Sequence, residues 1–107
     1  MILISKYFFS KNYVGLSLWP FIILKDRSLT QDETLINHER IHLKQQLELF
    51  IIPFYAWYLI EWLIKCLWYF NGYKAYRNIS FEREAYYHES DPHYLSSRGR
   101  FKFIQYL

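Results

Sequence analysis

Apolar and polar positions follow one another in different rhythms along this chain, and the rhythm predicts the elements. Two short apolar pieces, Ile2-Leu3-Ile4 and Tyr7-Phe8-Phe9, end at Lys11-Asn12 and predict a strand or two. Residues 14–24 are rich in β-formers, are closed by Lys25-Asp26-Arg27-Ser28, and predict one strand. Pro20 within it cannot donate to a ladder, which places that strand at a sheet edge or gives it a bulge. From residue 31 the spacing turns helical. At about 100° per residue, Ile36, Leu43, Leu47 and Phe50 form an apolar stripe, with Asn37, Arg40, Lys44 and Glu48 on the solvent side. A helix is predicted over 31–50, and Thr30-Gln31-Asp32-Glu33 fits a capping box at its start.

Pro53 permits a kink or break before residues 54–70, the strongest apolar element, closed by the turn signal Asn71-Gly72. The stretch 49–70 has the length of a membrane span, about 20 residues, but it contains Glu61 and Lys65. Those two share a face with Tyr58 and Tyr69, so the helix is amphipathic. It is expected to be a buried core helix or to lie at a membrane surface with its Trp and Tyr at the interface, with a true span as the third choice. Residues 73–79 form a connection. Ser80 can cap a third helix over 81–89 whose first turn is acidic. Asp91-Pro92 ends it, 93–95 form a short helical turn, 96–100 a loop, and 101–107 a tail without an assignable pattern. The expected class is α+β and mostly helical, with a small N-terminal β element, in a single domain over 1–107.

With 52% hydrophobic and 22% aromatic residues the chain is far from disordered, and is expected to fold compactly or to lie partly in a membrane. The net charge of +3 owes much to Arg98, Arg100 and Lys102, which read as a solvated tail; no nucleic-acid motif is present and no nucleic-acid partner is expected. The lone Cys66 sits in an apolar run, as a buried structural thiol would, and fits a reducing compartment. The N-terminus lacks the pattern of a signal peptide, so the expected location is cytoplasmic, peripheral to or embedded in the inner membrane.

The chemistry gathers in Leu35-Ile36-Asn37-His38-Glu39-Arg40-Ile41-His42. On a helix His38 and His42 are one turn apart on one face, where two imidazoles can grip one Zn2+. Glu39 then sits beside the bound water as a general base, the arrangement of H-E-x-x-H. The plainer alternative is two ordinary histidines on an amphipathic helix. Against it, both fall at the border of the apolar stripe with Leu35, Gln46 and Leu49, where a cleft floor would lie.

Three places can supply a third ligand. Glu48, on the same helix, faces away from the histidines and is excluded. Glu61 lies 19 residues past His42, but a pair with Lys65 four residues on, a common solvated arrangement, accounts for it better. Glu82 and Glu84 stand in Ser80-Phe81-Glu82-Arg83-Glu84-Ala85-Tyr86, where an acidic helix start would also put them. In these residues the chain resembles the gluzincin metallopeptidases, in which H-E-x-x-H is followed on a later helix by E-x-x-A, commonly E-x-x-A-D. The resemblance covers about residues 35–89. It implies that Glu82 is the third zinc ligand and that a strand precedes the metal helix; apart from the resemblance, Glu84 stays as a substitute ligand, because sequence does not fix the phase of the helix. Tyr86 stands where Asp is usual, which leaves the outer contact of that Asp without a counterpart. The Gln45-Gln46 pair after His42 is similar to that of small bacterial zincins.

Helix spacing sets Glu82, Tyr86, Glu89 and His93 along one face, so Tyr86 and His93 lead as catalytic partners that could stabilise an oxyanion. The expected activity is zinc-dependent peptide hydrolysis, with a peptide or protein substrate that could pair with the edge strand. A different class stays open: a non-catalytic zinc-binding module that meets a membrane surface or a protein partner through its aromatic second helix. A third possibility is a small membrane-associated protein whose H-E-x-x-H is accidental and which holds no metal.

Overall fold

Three short strands begin the chain and form one sheet in the order β1-β3-β2. The computed structural model describes residues 1–7 and 13–107, so most of the apolar piece at Tyr7-Phe8-Phe9 lies outside the described residues. β1 (Ile2–Ile4) runs parallel to β3 (Phe21–Leu24), and β2 (Gly15–Leu18) runs antiparallel to it. The single strand expected over 14–24 is thus a hairpin. Its turn is Trp19-Pro20, with Leu18 opposite Phe21, because the residue that cannot donate to a ladder is where the ladder stops. The edge position expected there holds for β2, whereas β3 is central and buries Ile22, Ile23 and Leu24.

The mostly helical remainder follows. A 3-10 turn, Arg27–Gln31, leads into α1 (Glu33–Leu49). The cap of α1 is Asp32, whose carboxylate accepts from the Leu35 amide at 3.1 Å. Thr30, expected in that role, sits in the 3-10 turn and donates to Arg27 O instead. The break before α2 (Ile51–Tyr69) falls at Phe50, at φ 57°, rather than at Pro53. Pro53 occupies the first turn of α2, where a missing N–H leaves no bond unmade. α2 ends at Phe70 in the left-handed region, and Asn71 caps α3 (Gly72–Arg77), so the expected connection over 73–79 is largely helix.

α4 (Ser80–His88) starts one residue earlier than expected, and Ser80 is capped rather than capping. The Glu61 carboxylate of α2 accepts from Ser80 N and Ser80 Oγ, both at 2.5 Å, and from Trp57 Nε1 at 3.1 Å. Glu61 is therefore buried in the protein, not paired with Lys65 in solvent. The tail closes the core. After α5 (Tyr94–Ser97), a 3-10 turn at Lys102–Tyr106 seats Phe103 among Phe54, Ile79 and Phe81.

Three more expectations change. The α1 stripe fails at its C-terminal end, where Leu47 and Phe50 are exposed while Gln45 and Gln46 are buried. Hydrogen bonds rather than apolar contact hold that side of the helix. Arg98 is no solvated tail: its buried guanidinium pairs with Glu84 and, at 2.7 Å, with Glu48. Cys66 is only half-buried.

Candidate metal centre

α1 and α4 pack side by side through Ile41 and Ala85, and the small Ala85 side chain lets them approach closely. This brings Glu82 over the face of α1 that carries His38 and His42. His38 Nε2 and His42 Nε2 lie 3.1 and 3.0 Å from Glu82 Oε1, and 3.2 Å from each other. All three side chains are buried, and together they could hold a metal ion.

Each donor is oriented from behind. His38 Nδ1 faces Glu89 Oε2 at 2.7 Å, His42 Nδ1 faces Gln45 Oε1 at 2.8 Å, and Tyr58 donates to Glu82 Oε2 at 2.7 Å. The Gln45 amide nitrogen donates to Phe81 O and Glu84 Oε1, which turns its carbonyl oxygen toward His42. With each Nδ1 committed to its acceptor, Nε2 of both rings faces the common centre, where a bound metal ion would take the place of the Nε2 proton. Glu89 thereby supplies the outer carboxylate that Tyr86 cannot.

The electrostatics reflect this crowding. Burial works against the His38 imidazolium, but hydrogen bonds to Glu82 and Glu89 outweigh it and lift its pKa to about 10. Burial also opposes ionisation of Glu82, yet the two imidazoles hold its carboxyl well below the usual range. Burial pushes Glu39 up, and the charges of His42 and His38 only partly offset this. The Tyr58 hydroxyl is pushed far up by burial and by the Glu82 charge, so it stays a donor.

Glu39 is not one of the converging donors. It lies in the wall of a cleft of about 710 Å3 together with His42 and Glu82, faced by Leu16, Tyr55, Leu59, Trp62 and Tyr76. Gly15 makes room for it: a Cβ there would come within 3.1 Å of Glu39 Oε2. A smaller cavity of about 200 Å3 reaches His38 and Glu39 past Tyr86 and Glu89.

Of the other expected residues, Tyr86 is at the site. Its ring lies 4.4 Å from that of His38, with its hydroxyl 3.0 Å from Tyr76 OH and the Arg77 guanidinium over its face. His93 is exposed and lines neither cavity; its amide donates to Asp91. Glu84 is held by Arg98, Tyr94 and Gln45, and Glu61 by Ser80, so neither competes with Glu82 for the two histidines. Glu48 is paired with Arg98, away from them.

Tyr58, Tyr76, Gln45 and Glu89 are the participants that sequence reasoning missed. Glu89 left a signal, one face and seven residues on from Glu82, and Gln45 left one in the Gln-Gln pair after His42, though not its role; Tyr58 and Tyr76 left none. The edge of β2 is also partly occupied. Gln46 and Tyr55 donate to Ser17 O, and Gln46 Oε1 accepts from Trp19 N at 2.8 Å, which closes the edge beyond Ser17. A comparison of the chain with known protein families, with curated proteins and with solved structures finds no match.

Proposed function

We propose that the chain is a zinc-dependent metallopeptidase, with His38, His42 and Glu82 as ligands and Glu39 as general base. The observation that carries this is the convergence of two imidazole nitrogens and one carboxylate oxygen, 3.0–3.2 Å apart, with His42 and Glu82 in the wall of a cleft that also presents the independent carboxylate of Glu39. Two histidines and a glutamate are a catalytic donor set that leaves a fourth position open. Zinc bonds of about 2.0–2.1 Å at tetrahedral angles separate donors by about 3.3 Å, so Zn2+ fits with small adjustments. When bound, the ion would supply a Lewis acid and a water of near-neutral pKa.

The protein's own groups do the rest. Glu39, whose burial raises its proton affinity, takes the proton of the attacking water and returns it to the leaving amine. Tyr58 keeps Glu82 turned toward the histidines, and Glu89 and Gln45 keep the rings from rotating. Tyr76, facing the cleft and backed by Tyr86, is the donor we assign to the developing oxyanion. The cleft's aromatic and aliphatic lining suits an apolar side chain next to the scissile bond.

One observation favours a second reading, a metal site without turnover: the three ligands are almost fully buried, as in closed structural sites. Metal analysis and hydrolysis of a quenched peptide library separate the two. His38→Ala and His42→Ala should lose the metal. Glu39→Gln should keep it while hydrolysis falls by about 10²–10⁴. A Glu39→Gln protein as active as its parent would refute the catalytic assignment, and a parent with metal but no hydrolysis of any library would favour the second reading.

A further inference from the structure

α2 is amphipathic in the inverted sense. Around its axis, at about 100° per residue, the exposed positions Ile52, Ala56, Leu59, Ile60, Leu63, Ile64, Leu67 and Trp68 fill an arc of about 180° with no polar side chain in it. Its only charged residues, Glu61 and Lys65, lie on the other side, and Glu61 is buried against Ser80. A helix exposed to water carries its polar residues outward. This one turns them in.

The helix is flanked by a second anomaly. Phe50 and Phe70, at its two ends, sit at φ 57° and 53°, where glycine is the usual residue, and their side chains are 78% and 90% exposed. A left-handed conformation is costly for a residue with a Cβ, and burial within the protein offers these two rings almost no compensation. The two rings extend the exposed apolar face of α2, and a large exposed apolar patch marks an interaction surface.

We infer that this face of α2 lies in the plane of a lipid bilayer, with its apolar arc in the upper acyl region. The width of the arc argues against a helix of a second copy, which would cover a stripe of about 100° and leave much of the arc in water. The interface side chains fit lipid as well. Trp68, Tyr69 and Tyr73 cluster at the C-terminal end, Lys74 lies 4.9 Å from the Tyr69 ring centroid, and the chain's net charge of +3 complements anionic headgroups. α2 is long and apolar enough to cross a membrane, but α1 and α3 pack along its inner side, where Phe81 of α4 also meets Phe54 and Tyr58. They present exposed Arg40, Lys44, Lys74 and Arg83, which a hydrocarbon layer would have to bury. Lying flat keeps them in water. Leu59 belongs both to this face and to the cleft wall, so the cleft opens beside the membrane.

The test uses the full chain and vesicles of phosphatidylcholine with phosphatidylglycerol, and does not depend on hydrolysis. The parent should float with the vesicles, and the Ile60→Glu/Leu67→Glu variant should lose at least about tenfold of that binding while keeping its circular dichroism and unfolding midpoint. Both positions are exposed, so the substitutions leave the core intact. Nitroxide labels at Ala56→Cys and Leu67→Cys, in a Cys66→Ser background, lie about 16 Å apart along the helix. They should report the same depth. A parent that stays in solution, a variant that floats equally well, a lipid-independent dimer broken by the two substitutions, or labels at depths differing by most of that distance would each overturn the inference.

Discussion

The phenol of Tyr58 reaches Glu82 Oε2 at 2.7 Å from a residue 24 positions earlier in the chain. Its role is to leave Oε1 alone facing the histidines, because Oε2 is already engaged. Tyr58→Phe removes that bond but keeps the ring stacked against Phe81, so the fold should persist. Loss of such an outer partner typically weakens metal binding about 10–100-fold, measurable by competition with a chromogenic chelator. An unchanged Kd would mean that Glu82 is oriented by α4 alone. At this scale His38, Glu39 and His42 were legible in the sequence because one helical turn dictates their relation. Tyr58 and Tyr76 were not, since nothing local says which tyrosine among 11 will meet a carboxylate from another helix.

Whether Glu82 meets the two histidines depends on where α4 begins, and that start is tied to α2. Ser80 N and Ser80 Oγ both donate to Glu61, two residues before Glu82. Glu61→Ala leaves these buried donors unpaired and should cost about 1–3 kcal/mol. It should also weaken metal binding, because the first turn of α4 carries Glu82. Thermal unfolding and chelator competition on the same preparation check both effects. A drop in stability with unaltered affinity would show that α4 is positioned by its apolar contacts alone. The sequence supports helices at α1 and α2 through their apolar spacing, and at α4 through its start signals, a capping serine and an acidic first turn. It misassigned Glu61, because an acid and a lysine four apart look the same whether they meet in water or face a partner helix.

For the whole molecule, the division into a small N-terminal sheet and a helical body was readable, but what closes the body was not. Residues 101–107 carry no periodicity and read as tail, and Arg98 reads as one of a solvated basic cluster. In the fold Arg98 ties α4 to α1 through Glu84 and Glu48, and Phe103 completes the aromatic core with Phe54, Phe81 and Ile79. Such roles depend on contacts distant in sequence, which a local pattern does not encode. Phe103→Ala should therefore act as a core substitution. A fully buried Phe replaced by Ala costs about 3–5 kcal/mol, a large share of the roughly 5–15 kcal/mol that holds a domain folded. The urea midpoint should fall accordingly, and metal affinity with it, since Phe103 packs on Phe81, the neighbour of Glu82. Phe103→Leu, which keeps most of the volume, should recover most of both. If the alanine variant unfolded at the parent's urea concentration, the C-terminal turn would be an appendage, and the core would rest on Phe54, Phe81 and Ile79 alone.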